Sequence, residues 1–129
     1  LKAAITDNIF NKVTLKDGNG DEINTSDRIQ NGSGVVLNMN FAFSGKNYKA
    51  GDTFTTVLPD AFNFGNKNLS GNFLPSTEAE WSLDVTTREL TITFLKDGIQ
   101  EGDYDVNIST AFKVFTSTEE TIQEVVFKT

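Results

Sequence analysis

The chain has 129 residues and carries 18 acidic against 11 basic side chains, a formal net charge of −7, with neither His nor Cys. Such a surface repels phosphate backbones and anionic lipid, which argues against nucleic acid and membrane surfaces as partners. No stretch approaches the ~20 apolar residues of a membrane-spanning helix. The absence of His and Cys removes the commonest general base, the thiol nucleophile, any disulfide and most transition-metal sites, so neither a metal nor a cofactor is expected.

The length suits one domain spanning residues 1–129, large enough to bury a core without covalent staples. Apolar residues make up only 37% of the chain, yet eleven are Phe. A low apolar fraction with many bulky Phe points to a thin core between large solvated faces. The first residues, Leu1 to Phe10, lack the basic and then apolar pattern of a signal peptide. A mature fragment of a secreted protein has the same look.

In chain order, the first expected strand places Ile9, Val13 and Leu15 inward and Lys12, Thr14 and Lys16 outward. The Asp17-Gly18-Asn19-Gly20-Asp21 turn follows. The clearest strand runs from Val35 to Phe43, with Val35, Leu37, Met39, Phe41 and Phe43 on one face and Asn38 and Asn40 on the other. Ser44-Gly45-Lys46-Asn47 closes it. Phe54 to Leu58 is a further strand of less regular phase. The stretch from Asp60 to Leu74, rich in Asn, Gly and Phe, is too long for a tight turn and departs from the pattern.

Pro59-Asp60-Ala61 and Pro75 to Glu80 are the two candidates for a helical turn. Trp81, Leu83 and Val85 alternate with Ser82 and Asp84, and their parity points Trp81 to the core. Thr86-Thr87-Arg88-Glu89 then turns the chain into Leu90, Ile92 and Phe94. Val106, Ile108, Phe112 and Val114 share a face opposite Asn107, Ser109 and Lys113, and Ile122 to Phe127 is the last expected strand. Seven to nine strands without a full helix predict an all-β, antiparallel, Greek-key immunoglobulin-like sandwich.

The order of certain motifs adds a resemblance. Leu15-Lys16-Asp17-Gly18-Asn19-Gly20 comes first. Tyr48-Lys49-Ala50-Gly51-Asp52-Thr53-Phe54, Leu58-Pro59-Asp60 and Leu90-Thr91-Ile92-Thr93-Phe94 before Asp97-Gly98 follow. Together they resemble the N-terminal ligand-binding region of wall-anchored adhesins of Gram-positive bacteria, the collagen- and fibrinogen-binding type. The Tyr-x-x-Gly-Asp-Thr-Phe element is the most specific part. Its physical reading is structural: Gly51 and Asp52 turn the chain, Phe54 enters the core, Leu58 is the last buried residue and Pro59 ends the strand.

The resemblance implies an extracellular, cell-wall location. It implies an extracellular protein ligand such as collagen or fibrinogen, or a glycan, bound jointly with an adjacent sandwich domain of the same chain. The Leu-Pro-x-Thr-Gly sorting motif of such proteins is absent from this sequence.

Several residue groups are weighed for chemistry. Asp17, Asn19 and Asp21 have the spacing of a calcium loop, but Glu22 and Arg28 stand where the helix-loop-helix form wants Gly and Glu, and an Asp/Asn/Gly turn explains them as well. The carboxylate pairs Glu78/Glu80, Glu101/Asp103 and Glu119/Glu120 lack any convergent motif for a hydrolase. An internal Lys–Asn/Asp amide bond would need Lys12, Lys16 or Lys113 buried beside Asp105 or Asn107, against the simpler reading of exposed strand lysines.

Phe62, Phe64, Asn66, Lys67 and Asn68 form the candidate contact loop, set against the reading that Phe62, Phe64 and Phe73 plug one end of the sandwich. The reading is of a non-enzymatic, monomeric adhesin domain. The alternatives are a structural spacer and, with few Trp and Tyr, a carbohydrate-binding module.

Overall fold

A computed structural model describes residues 3–24, 26–73, 78–114 and 125–127. Ten strands and no helix occur among the described residues: β1 Phe10–Lys16, β2 Gly34–Phe41, β3 Asn47–Tyr48, β4 Thr53–Val57, β5 Phe62–Asn63, β6 Leu69–Asn72, β7 Ala79–Asp84, β8 Glu89–Phe94, β9 Gly98–Ile99 and β10 Tyr104–Phe112. They form one four-stranded sheet in the order β1-β2-β10-β5, a second in the order β4-β8-β7-β6, and a ribbon of β3 with β9. Every paired strand is antiparallel. The chain crosses between sheets after β2, β4, β5 and β8, which gives the expected Greek-key sandwich.

Alternation creates the core. Val35, Leu37, Met39, Phe41 and Phe43 are all buried, although β2 itself ends at Phe41. Leu83, Leu90, Ile92 and Phe94 face them from the second sheet, each fully buried. Aromatic edges lock the layers together: Phe43 meets Phe94 at 4.9 Å and 86°, and Phe41 meets Phe54 at 6.1 Å and 66°. Such T-shaped contacts add about 0.5–1.5 kcal/mol each beyond area burial.

The first strand is less regular than its spacing suggests. The register shifts between Phe10 and Lys12, so the bulge puts both Ile9 and Phe10 in the core and turns Asn11 out. Upstream, residues 3–5 run parallel to β4. Thr53 N–H donates to the Ala3 carbonyl at 3.0 Å, and Ile5 N–H donates to the Thr53 carbonyl at 2.7 Å. Residues 3–5 thus lie on the second sheet, and the chain crosses to the first at Ile9.

Other expectations need correction. The stretch that departs from the alternating pattern contains two short strands: β5 joins the first sheet beside β10, and β6 joins the second beside β7. Pro59-Asp60-Ala61 is a non-helical turn, and the buried run continues past Leu58 through Pro59, Ala61 and Phe62. Of the other helix candidate, residues 75–77 lie outside the described residues, while Ala79 and Glu80 begin β7.

Val114 is 72% exposed because β10 ends at Phe112. Of the last expected strand, residues 122–124 lie outside the described set and residues 125–127 belong to no sheet. Trp81 has the predicted parity but is only half-buried, because its neighbour on β6 is Gly71, near the sheet edge.

Candidate functional site

The Tyr48-to-Asp60 element is built as a structural knot. Gly51 adopts φ 95°, a left-handed conformation that disfavours other residues. Its N–H donates to the Phe94 carbonyl at 2.7 Å, and Phe94 N–H donates back to the Asp52 carbonyl at 2.9 Å. The Asp52 carboxylate is buried and already engaged. Oδ2 accepts from Lys49 N–H at 2.9 Å, and Oδ1 accepts from Ala3 N–H at 3.1 Å. One side chain therefore closes the turn and fastens residues 3–5 to the second sheet. Its carboxylate is satisfied by backbone rather than aimed at a ligand.

Tyr48 packs against Phe94 at 4.6 Å on the same knot. Among the described residues its buried hydroxyl finds no hydrogen-bond partner. Burial raises the phenol pKa above its usual value, and the charges of Asp7 and Asp52 push it the same way.

A second polar cluster lies beside the β3–β9 ribbon. The buried Glu78 carboxylate accepts from Glu101 N–H at 3.1 Å and lies 3.6 Å from Lys96 Nζ, which also reaches Glu101 at 3.4 Å. Gln100, 1% exposed, donates to the carbonyls of Lys96 and Gly98. Sequence reasoning did not single out Gln100. It treated Glu78 and Glu80 as a pair, but Glu78, just before β7, is buried, and Glu80, within it, is exposed.

The candidate contact loop divides in two. Phe62 is 1% exposed and Phe73 equally so, and both belong to the core. Phe64 is half-buried and rests on Phe62 at 6.0 Å. Asn66, Lys67 and Asn68 are exposed on the short connection that carries the chain from one sheet to the other. Gly65, at φ 86°, turns this connection, and its N–H is held by Asn63 Oδ1 at 2.9 Å. Asn68 Oδ1 accepts from Val85 N–H at 3.0 Å, tying the loop to the β7–β8 turn. The structure thus brings Phe64, Asn66, Lys67 and Asn68 to one end of the sandwich and places Phe62 behind them.

The remaining chemistry resolves into structure. Asp17 Oδ1 accepts from the N–H groups of Asn19 and Asp21 at 2.9 and 3.0 Å, so the candidate calcium loop closes as an Asx turn. Among the described residues no cluster of three acidic side chains converges. Lys12, Lys16, Lys113, Asp105 and Asn107 are all exposed, without the desolvation that an internal amide bond requires. Asp105 and Asn107 instead join an amide ladder on the outer face of the first sheet. Asn11 donates to Asn40 at 3.0 Å, Asn40 to Asp105 at 2.7 Å, and Asn38 to Asn107 at 2.6 Å.

Two open hollows of about 350 and 370 Å³ mark the surface. The first lies beside Asp27, Arg28 and Ile29. The second lies beside Ser70, Asn72, Glu80 and Trp81. Neither gathers the nucleophile, base and oxyanion donors that a reaction needs.

A Greek-key sandwich with its motif residues committed to turns and edges defines an immunoglobulin-like module. The chain belongs to the bacterial Ig domain family, whose model matches residues 28–96, just over half of its length. Domains of this family are generally non-catalytic and typically occur in extracellular surface proteins. No curated protein and no solved structure matches the chain significantly. Among the described residues, no helix is long and apolar enough to cross a membrane.

Proposed function

We propose that this chain is a non-enzymatic adhesive module of a bacterial surface protein, binding an extracellular macromolecule together with an adjacent domain. The supporting observation is the exposed Asn66-Lys67-Asn68 connection backed by half-buried Phe64. Adaptable amides, a cation and a nearby half-buried aromatic suit a protein or glycan surface. The resemblance of the Tyr48-to-Asp60 element to collagen- and fibrinogen-binding adhesins adds support. Shared contacts with a neighbouring domain fit a chain whose hollows are open.

The test is binding to immobilised collagen, fibrinogen and fibronectin and to a glycan array, by the domain alone and with its native neighbour. Binding that falls at least tenfold in the double variant Asn66→Ala, Lys67→Ala supports the reading. No binding in either form rejects it in favour of a spacer. The spacer reading has its own observation: Asp52 fastens residues 3–5 alongside β4. In that arrangement a pull on this segment along the strand loads several bonds at once.

A further inference from the structure

Among the described residues the two four-stranded sheets have four edges, and three carry their own protection against pairing with another chain. β1 displays Lys12 and Lys16, β5 is two residues long, and β6 is short and polar with Gly71 inside it. Charge, brevity and glycine are the usual means of blunting an edge. β4 has none of them. Its sequence, Thr53-Phe54-Thr55-Thr56-Val57, is uncharged, free of Gly and Pro, and made entirely of β-branched and aromatic residues. Such an edge is a ready template for another strand.

What covers β4 is the chain itself, and only in part. Residues 3–5 occupy the outward N–H and carbonyl of Thr53. Backbone groups alternate in direction along a strand, so those of Thr55 and Val57 point outward as well. Among the described residues no partner meets them there. The edge therefore already accepts a strand at one end and offers two further residues beyond it.

We propose that residues 3–5 are a removable strap over the β4 edge, and that lifting it lets β4 pair antiparallel with β4 of a second copy. A two-fold axis at Thr55 places Thr55 opposite Thr55 and Thr53 opposite Val57. All three facing pairs are then of the type that exchanges both hydrogen bonds. The contact is isologous and closes as a dimer. With the strap down, the Thr53–Val57 pairs are blocked at both ends, and the chain stays a monomer. Asp52 is the catch: its carboxylate holds Ala3 N–H from a buried position beside the strand. The net charge of −7 on each copy opposes association, so added salt strengthens the dimer.

The experiment compares mass in solution by sedimentation velocity for the intact chain, a variant lacking residues 1–5, and that truncation combined with Thr55→Lys. The intact chain is expected at 14.2 kDa. The truncated chain is expected to approach twice its own mass as concentration and salt rise, and Thr55→Lys to return it to monomer. Should the truncated chain lose its β circular dichroism, Ile5→Pro in the intact chain removes the N–H to Thr53 and carries the same comparison. A folded, strap-free chain that stays monomeric overturns the proposal, as does a dimer that Thr55→Lys leaves intact.

Discussion

Replacing Tyr48 by Phe is expected to stabilise this protein. The ring packs on Phe94 at 4.6 Å, and that contact survives the change. The hydroxyl is buried without a partner among the described residues, and an unsatisfied buried polar group costs about 1–3 kcal/mol. Allowing for imperfect relaxation, Tyr48→Phe gains about 1 kcal/mol, or roughly 3–5 °C in Tm for a domain of this size. The pH dependence gives an independent check. Burial first, then Asp7 and Asp52, raise the Tyr48 pKa, so the folded chain holds the phenol proton more tightly than the unfolded chain does.

That contribution is complete below the unfolded value of about 10 and is lost as pH rises from there through the raised folded value. Urea unfolding from pH 7 to 11 should show the wild type losing stability above about pH 10 by an amount the variant lacks. A variant less stable than wild type by 1 kcal/mol or more at pH 7 would refute the reasoning, because it would mean that the hydroxyl has a partner.

Three further outcomes follow from the same packing. Gly71→Ala places a Cβ 2.7 Å from Trp81 Nε1. The indole must move, with an expected loss of about 1–3 kcal/mol and a shift in Trp emission, the protein having a single Trp. Asp52→Ala leaves Lys49 and Ala3 N–H without their acceptor. The expected loss is about 1–3 kcal/mol, with faster hydrogen exchange at Ala3, Ile5 and Thr53 than at Phe54. Leu37→Ala, in the fully buried centre of β2, should cost about 2–5 kcal/mol by chemical denaturation.

The sequence displayed what period-two alternation can carry. β2 and β8 were legible because every second residue is apolar and faces one continuous core. Phe10 was not, because a bulge resets parity and no local residue type announces it. β5 escaped notice because two residues are too few to alternate. β6 escaped because Gly71 stands where an inward side chain would have marked it. Thr56 blurred the phase of β4 by filling a buried position between Phe54 and Leu58 with a polar residue.

The candidate loop was legible as an exception to the strand pattern, but the inward turn of Phe62 depends on pairing with β10, a contact made across some fifty residues of sequence. The pairing of residues 3–5 with β4 depends equally on tertiary position. Gln100 carries no signal in a sequence, since glutamines are ordinarily solvated.

The amide ladder on the first sheet has a consequence for how the chain finds its register. Alternation forbids a slip of one residue between β2 and β10, since that would turn the core face to water. It does nothing against a slip of two, which again sets apolar residues against apolar ones. Such a slip separates Asn38 from Asn107 and Asn40 from Asp105 and leaves a single replacement, Asn40 opposite Asn107 or Asn38 opposite Asp105, so one of the two side-chain bonds is lost. The outward amides therefore act as a vernier on the inward hydrophobics, selecting among alignments that the core alone would leave nearly degenerate.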